Sequence, residues 1–140
     1  KKVDWSDPLK TKKDQISIEH IYPQTPTNEW EPEFSNIPEV DRKFFNGSIG
    51  NLLLLSRSIN SKLQNYSFYN KKEPQYDSEG KLIRNGYSDG SHSEIEVSRE
   101  NKWGPEEIRS RGMRLLVFME QRWNIKFYDD NEKEKLLFLS

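Results

Sequence analysis

At 140 residues, with 32% hydrophobic residues and a mean hydropathy of -1.02, the chain has one domain's length and a large polar surface. Aromatics at 12%, four Trp among them, exclude a disordered chain, and the absence of cysteine excludes disulfides, thiolate zinc knuckles and cysteine nucleophiles. A net charge of -1 excludes a simple basic nucleic-acid-binding domain, and no apolar run nears the roughly 20 residues that span a membrane.

No signal peptide is visible, and the lack of cysteine agrees with a reducing cytoplasm, where the protein is expected. The charge is unevenly distributed. Asn28 to Asp41 holds five acids and no base, whereas Gly47 to Lys72 holds four bases and no acid. A near-neutral total can therefore hide one positive face.

The chain opens on Lys1-Lys2 without Met, and residues 1–14 read as a linker from a preceding domain, with Trp5 as an anchor and Pro8 as a breaker. Gln15 to Ile21 alternates, which predicts a half-buried strand with Ile16, Ile18 and His20 on one face, stopped by Pro23. Neighbours on a strand point to opposite faces, so Glu19 and His20 can converge only if the strand ends or twists there. Thr25 to Asn46 carries Pro26, Pro32 and Pro38 and reads as a long loop, followed by a short helix near Glu39 to Phe45 pinned by Val40, Phe44 and Phe45. Gly50 to Ser56, with four consecutive leucines, predicts a buried strand, and Ser58 to Tyr66 a helix carrying Asn60, Lys62 and Asn65.

Tyr66 to Tyr76 alternates aromatic and basic residues, and its aromatics are assigned to the core rather than to a base-stacking surface. Asp77 to His92 is rich in turn signals, with Asp77-Ser78-Glu79-Gly80 and Asn85-Gly86, and His92 reads as a solvent-exposed turn residue. Glu94 to Ser98 alternates as a small strand would. Trp103 to Asn124 predicts a long core helix, with Pro105 at its first position, Glu106 and Glu107 in the first turn, and a stripe of Ile108, Leu115, Met119 and Trp123. Leu136 to Leu139 is expected to dock on the core.

Two short motifs carry chemistry: Ser17-Ile18-Glu19-His20-Ile21-Tyr22-Pro23-Gln24, and Gly50-Asn51-Leu52-Leu53-Leu54-Leu55-Ser56 followed by Asn60. Hydrolysing a phosphodiester needs an activated water, charge relief at phosphorus and stabilisation of the leaving oxygen. A histidine is suited to be the base near neutral pH. A hard divalent cation takes a few oxygen ligands from protein, with water and phosphate completing the shell, and the Glu19 carboxylate and Asn60 side-chain oxygen suit that ligation. Asn51 could accept a hydrogen bond from the His20 ring and fix its tautomer.

These motifs resemble an HNH nuclease of the His-Me finger (ββα-metal) superfamily. More closely, they are similar to the C-terminal nuclease domain of GmrSD-type modification-dependent restriction enzymes. In that family an acid-His-Ile-x-Pro-Gln opening and a Gly-Asn-Leu-x-Leu-Leu strand precede an Asn-containing helix. A downstream Asn, Phe and Lys are matched by Asn65, Phe68 and Lys71, and Trp103, Ile108, Arg111 and Trp123 resemble the family's helical part. The resemblance covers about residues 15–125, and its first half carries the specific motifs. Many such nucleases have Asp where this chain has Glu19, and the last His of the motif is here Asn60.

The resemblance implies an α+β fold with a ββα-metal core over about residues 15–66 and helical support over about residues 103–140, the whole nuclease domain running over residues 15–140. It implies a metal-dependent DNA endonuclease of restriction or phage defence. His20 would be the general base, Asn51 its orienting partner, and Glu19 and Asn60 the ligands of one divalent metal, Mg2+ or else Mn2+. Arg57, Lys62, Asn65 and Lys71 would contact phosphate. The implied partners are phage or modified DNA and an N-terminal nucleotide-hydrolysing or DNA-sensing domain of the same parent chain. The alternative is a DNA-binding or interaction domain that keeps the fold without the chemistry.

Overall fold

Strand β1 (Ile16–His20) pairs antiparallel with β2 (Leu52–Ser56), Glu19 opposite Leu53 and His20 opposite Leu52. The computed structural model describes residues 15–139, without the side chains of residues 56–58, so the expected linker over residues 1–14 lies outside the described residues. Helix α3 (Arg57–Leu63) follows β2 directly and packs back on both strands. Two strands and a helix thus stand together, with the predicted strand ending at His20.

The two faces of this pair are the reverse of the expected ones. Ile16 and Ile18 lie on the exposed side, Ile18 at 54%, while Glu19, opposite Leu53, is 3% exposed. Apolar alternation placed the wrong face inward because the buried carboxylate has its own charged partner, which alternation cannot register.

The segment between the strands is more ordered than a loop. A 3-10 turn (Asn28–Trp30) runs into α1 (Glu31–Phe34), and α2 (Glu39–Gly47) follows, close to the predicted helix. Tyr22 stacks on Phe34 at 3.8 Å between centroids, and Trp30 meets Tyr22 edge-on, so these aromatics form a core lobe beside the end of β1. Of the three residues expected to pin α2, Phe45 is buried, while Val40 and Phe44 are exposed.

Beyond α3 come α4 (Phe68–Lys72), capped by Ser67, and the hairpin β3 (Gln75–Tyr76) with β4 (Leu82–Arg84). Tyr66, Tyr69 and Tyr76 are exposed rather than core, and Phe68 alone of those aromatics is buried. The stretch expected as a small strand is helix α5 (His92–Ser98). Ser91 and Glu94 cap its start reciprocally, and that box outweighs the short alternation of Ile95 and Val97. His92 is exposed, as expected.

Helix α6 (Pro105–Trp123) is the long predicted helix, but its inward line is Ile108, Gly112 and Leu116, and Trp123 is 59% exposed. Its contact with the 3-10 turn Ile49–Asn51 is so close that a Cβ on Gly50 would lie 2.0 Å from the Ile108 carbonyl oxygen. Helix α7 (Asp130–Leu136) and the following Leu137 and Leu139 dock on α6, as the C-terminal leucines suggested. The architecture is α+β, helices around two small two-stranded sheets. No helix among the described residues is long and apolar enough to cross a membrane.

Candidate active site

The chain leaves the β ladder at His20. The next amide, Ile21 N, donates to the Asn51 carbonyl at 3.0 Å, and Tyr22 N donates to the Asn51 side-chain oxygen at 2.8 Å. Asn51 Nδ2 donates to the carbonyls of Tyr22 and Asn46, while its Oδ1 also accepts from Trp103 Nε1 at 3.1 Å. Asn51 is fully buried, and this set uses both donors and both acceptor sites of its amide. The expected bond to the His20 ring is therefore not made. Asn51 fixes the backbone just after His20, and Arg111 holds the same turn from the other side, Nη1 donating to the carbonyls of Gly50 and Leu52.

His20 is half-buried at the strand end. Burial pushes its imidazole below the ordinary 6.5, and the positive charge of Lys71 pushes the same way. Both effects disfavour a second proton on the ring, so at neutral pH it carries an unprotonated nitrogen, the state a general base needs.

Glu19 points into the opposite face. Its Oε1 accepts from Lys71 Nζ and from the Tyr87 hydroxyl, each at 2.7 Å. Lys71, also fully buried, gives its other hydrogens to the carbonyls of His20 (2.9 Å) and Ile21 (3.1 Å), with the Trp30 ring 5.9 Å away. Burial raises the Glu19 carboxyl, and lowers the Lys71 ammonium, each opposed by the attraction of the other. Three acceptors around one nitrogen call for three hydrogens, so the pair is an ammonium and a carboxylate.

Asn60 reaches β1 from α3, Nδ2 donating to Ser17 Oγ at 2.8 Å and to the Ile18 carbonyl at 2.9 Å. A carbonyl can only accept, which fixes the nitrogen as the atom facing β1 and makes Oδ1 the end of the amide with the chemistry to meet a cation. Asn51 thus holds the backbone just past β1 and Asn60 meets the strand at Ser17 and Ile18, and among the described residues no side-chain hydrogen bond joins Glu19, His20, Asn51 and Asn60 to one another.

The expected metal tests poorly against this donor set. Among the described residues no three His, Cys, Asp or Glu side chains cluster to hold an ion. A site of one or two protein oxygens would still suffice, but the Glu19 carboxylate is shut from solvent and already bears a cation, Lys71 Nζ. Asn60 supplies an oxygen; Glu19, as placed, does not fit a direct ligand.

The expected phosphate contacts divide likewise. Lys62 and Asn65 are exposed, on and just after α3, and can meet a polyanion. Lys71 is 0% exposed and committed to Glu19, so it is a core residue instead. The Arg57 side chain lies outside the described ones. Lys72, counted among the acid-free bases, donates to the Glu100 carbonyl at 3.0 Å. Of the four bases of the expected positive face, Lys71 is neutralised by a buried acid, and Lys72 keeps its charge. Tyr87 was missed altogether; a tyrosine just after the Asn85-Gly86 turn carries no local sign that its hydroxyl reaches Glu19, 68 residues away.

A family model described as GmrSD restriction endonucleases, C-terminal domain, matches residues 2–118. No curated protein and no solved structure matches the chain.

Proposed function

The chain belongs to the C-terminal domains of GmrSD restriction endonucleases, and from that premise we propose that it cuts DNA by phosphodiester hydrolysis with His20 as the general base. The family makes it a nuclease domain of a restriction system, with DNA as the substrate. The observation that carries the catalytic reading is His20 itself: a half-buried imidazole held below its ordinary pKa, at the point where the strand ends and two buried groups fix the backbone. The strand pair with α3 packed across it supports a ββα reading of the core.

In this reading His20 takes the proton from the attacking water. Lys62 and Asn65 meet the DNA backbone as charge and hydrogen-bond donors without reading sequence. The divalent ion implied by the resemblance, Mg2+ or Mn2+, would find one oxygen, Asn60 Oδ1, and not the Glu19 carboxylate. Phage or modified DNA as the target, an N-terminal sensing or nucleotide-hydrolysing domain in the same parent chain, and a cytoplasmic setting complete the proposal.

A supercoiled-plasmid assay in Mg2+ or Mn2+ tests it. His20→Ala is expected to lower nicking by about 100-fold or more while leaving the circular dichroism spectrum unchanged. Equal cutting by the variant removes His20 from the chemistry.

A second reading, a DNA-binding domain that has lost catalysis, draws on the Lys71 ammonium seated at Glu19. It requires salt-dependent DNA binding with no cutting in either metal.

A further inference from the structure

We infer that Lys71 is the resident cation of this site: its ammonium positions the His20 base through the main chain, and Glu19 is its fixed counter-anion rather than a metal ligand. The inference rests on the reading of His20 as the base. It goes beyond that reading by giving roles to three buried groups that the hydrolysis itself does not use: Glu19, Lys71 and Tyr87.

The argument is one of stoichiometry and placement. An ammonium has three hydrogens, and Lys71 Nζ has three oxygen acceptors at 2.7, 2.9 and 3.1 Å. Two of those acceptors are the carbonyls of His20 and Ile21, the residue proposed to do the chemistry and the one after it. The third is Glu19, the residue before it. One side chain therefore grips three consecutive residues at the end of β1, from outside the ladder.

Its own position is set independently. Lys71 sits in α4, whose start is capped by Ser67. Helix α4 is also held by Arg84 of β4, which donates to the Glu73 carbonyl just past its end. The Tyr87 hydroxyl donates to the same Glu19 oxygen, so the carboxylate has two donors without an added ion.

A grip of this kind works through geometry. If it is removed, His20 keeps its chemical identity, but the carbonyls of His20 and Ile21 lose their common donor and the strand end is left to the ladder and Asn51. A displacement of about 1 Å in a reacting group can cost about 100-fold in rate. A Lys that only stabilised the core would lower the melting temperature and leave the turnover of the folded protein alone.

The test compares the wild type with Lys71→Met and with Glu19→Gln/Lys71→Met, the latter removing both buried charges together so that the chain folds even if the single variant does not. Each is melted by circular dichroism, titrated calorimetrically with Mn2+ alone, and assayed for plasmid nicking. The double variant is expected to melt cooperatively and to show the wild-type Mn2+ titration. Its kcat should fall about 100-fold at unchanged KM for DNA.

Wild-type kcat in the folded double variant would overturn the positioning role. Mn2+ binding weakened about 10-fold or more in that variant would make Glu19 a ligand and overturn the counter-anion role. A wild type that does not nick DNA at all is a different failure, that of the nuclease reading, and the Mn2+ titration still reports on Glu19 in that case.

Discussion

The Glu19–Lys71 pair shows how a single residue's surroundings decide its role. A carboxylate and an ammonium at 2.7 Å, both shut from solvent, have lost water's solvation and regained it from each other, from Tyr87 and from two carbonyls. Removing one partner alone leaves a buried unpaired charge, typically about 3–5 kcal/mol. His20 lies on the other side of the same backbone, near enough for the Lys71 charge to depress its pKa, after burial as the main cause. The sign of the pH dependence follows. A base must be neutral to act, and its folded pKa lies below 6.5, so the pH at which nicking falls to half should lie below 6.5. Folding stability runs in the same direction. A depressed folded pKa contributes stability that is present above the unfolded value and lost as pH drops through the folded one. Urea midpoints measured from pH 7.5 down to about pH 5 should therefore fall less in His20→Gln than in the wild type. A rate that fell by half already at pH 7 would contradict a lowered His20.

Among the elements, the turn before β2 organises the site more than either strand does. Asn51 ties it to Tyr22, Arg111 ties it to α6, and Gly50 lets α6 lie directly against it. A methyl at residue 50 would meet the Ile108 carbonyl at 2.0 Å and the Gly112 amide at 2.9 Å, both backbone atoms of one helix. Neither can turn aside as a side chain would, so Gly50→Ala must push α6 off the turn. The expected cost is about 3 kcal/mol, the upper end for overpacking. It should be read as a lower denaturant midpoint at an unchanged m value, with nicking reduced in step because Asn51 moves too. The sequence made this turn visible through its glycines and showed the strand and helix after it through leucines and a serine start. It also pointed to His20, because Pro23 three residues on stops the strand expected over Gln15 to Ile21 close to it. What it left hidden is tertiary. Ile16 and Ile18 argued for the wrong buried face because the carboxylate opposite them is neutralised by a lysine 52 residues away. Asn51 looked like a partner for a histidine ring because an asparagine's four hydrogen bonds can be assigned only when its neighbours are known. Lys71 looked like a phosphate contact because a lysine is buried only when an acid awaits it, and that pairing has no local signature.

Across the whole molecule, the C-terminal segment docks on α6, the helix that also lies against the turn before β2. Leu137 is 0% exposed and lies so close to α6 that a Cβ on Gly112 would come within 2.7 Å of its Cδ2 atom. Gly112 also presents its amide to Gly50, so this one residue has the C-terminal segment on one side and the site's turn on the other. Polar ties add to that docking: Lys133 pairs with Glu120 at 2.8 Å, and Arg109 donates to the Leu139 carbonyl at 3.2 Å. Leu137→Ala empties a buried site without touching the polar ties, and a buried leucine truncation costs about 2–5 kcal/mol. The two contacts of Gly112 differ in kind, and that difference sets the expected outcome. The contact with Gly50 is backbone against backbone and stays when Leu137 is cut back, because the main chain of α6 is fixed by its own hydrogen bonds. The cavity therefore weakens the fold without moving Asn51 or the end of β1. Leu137→Ala should lower the melting midpoint while leaving the nicking rate per folded molecule at the wild-type value when assayed well below that midpoint. A rate that fell together with stability, in fully folded protein, would mean that α6 shifts as a body and that the C-terminal leucines help set the geometry of His20.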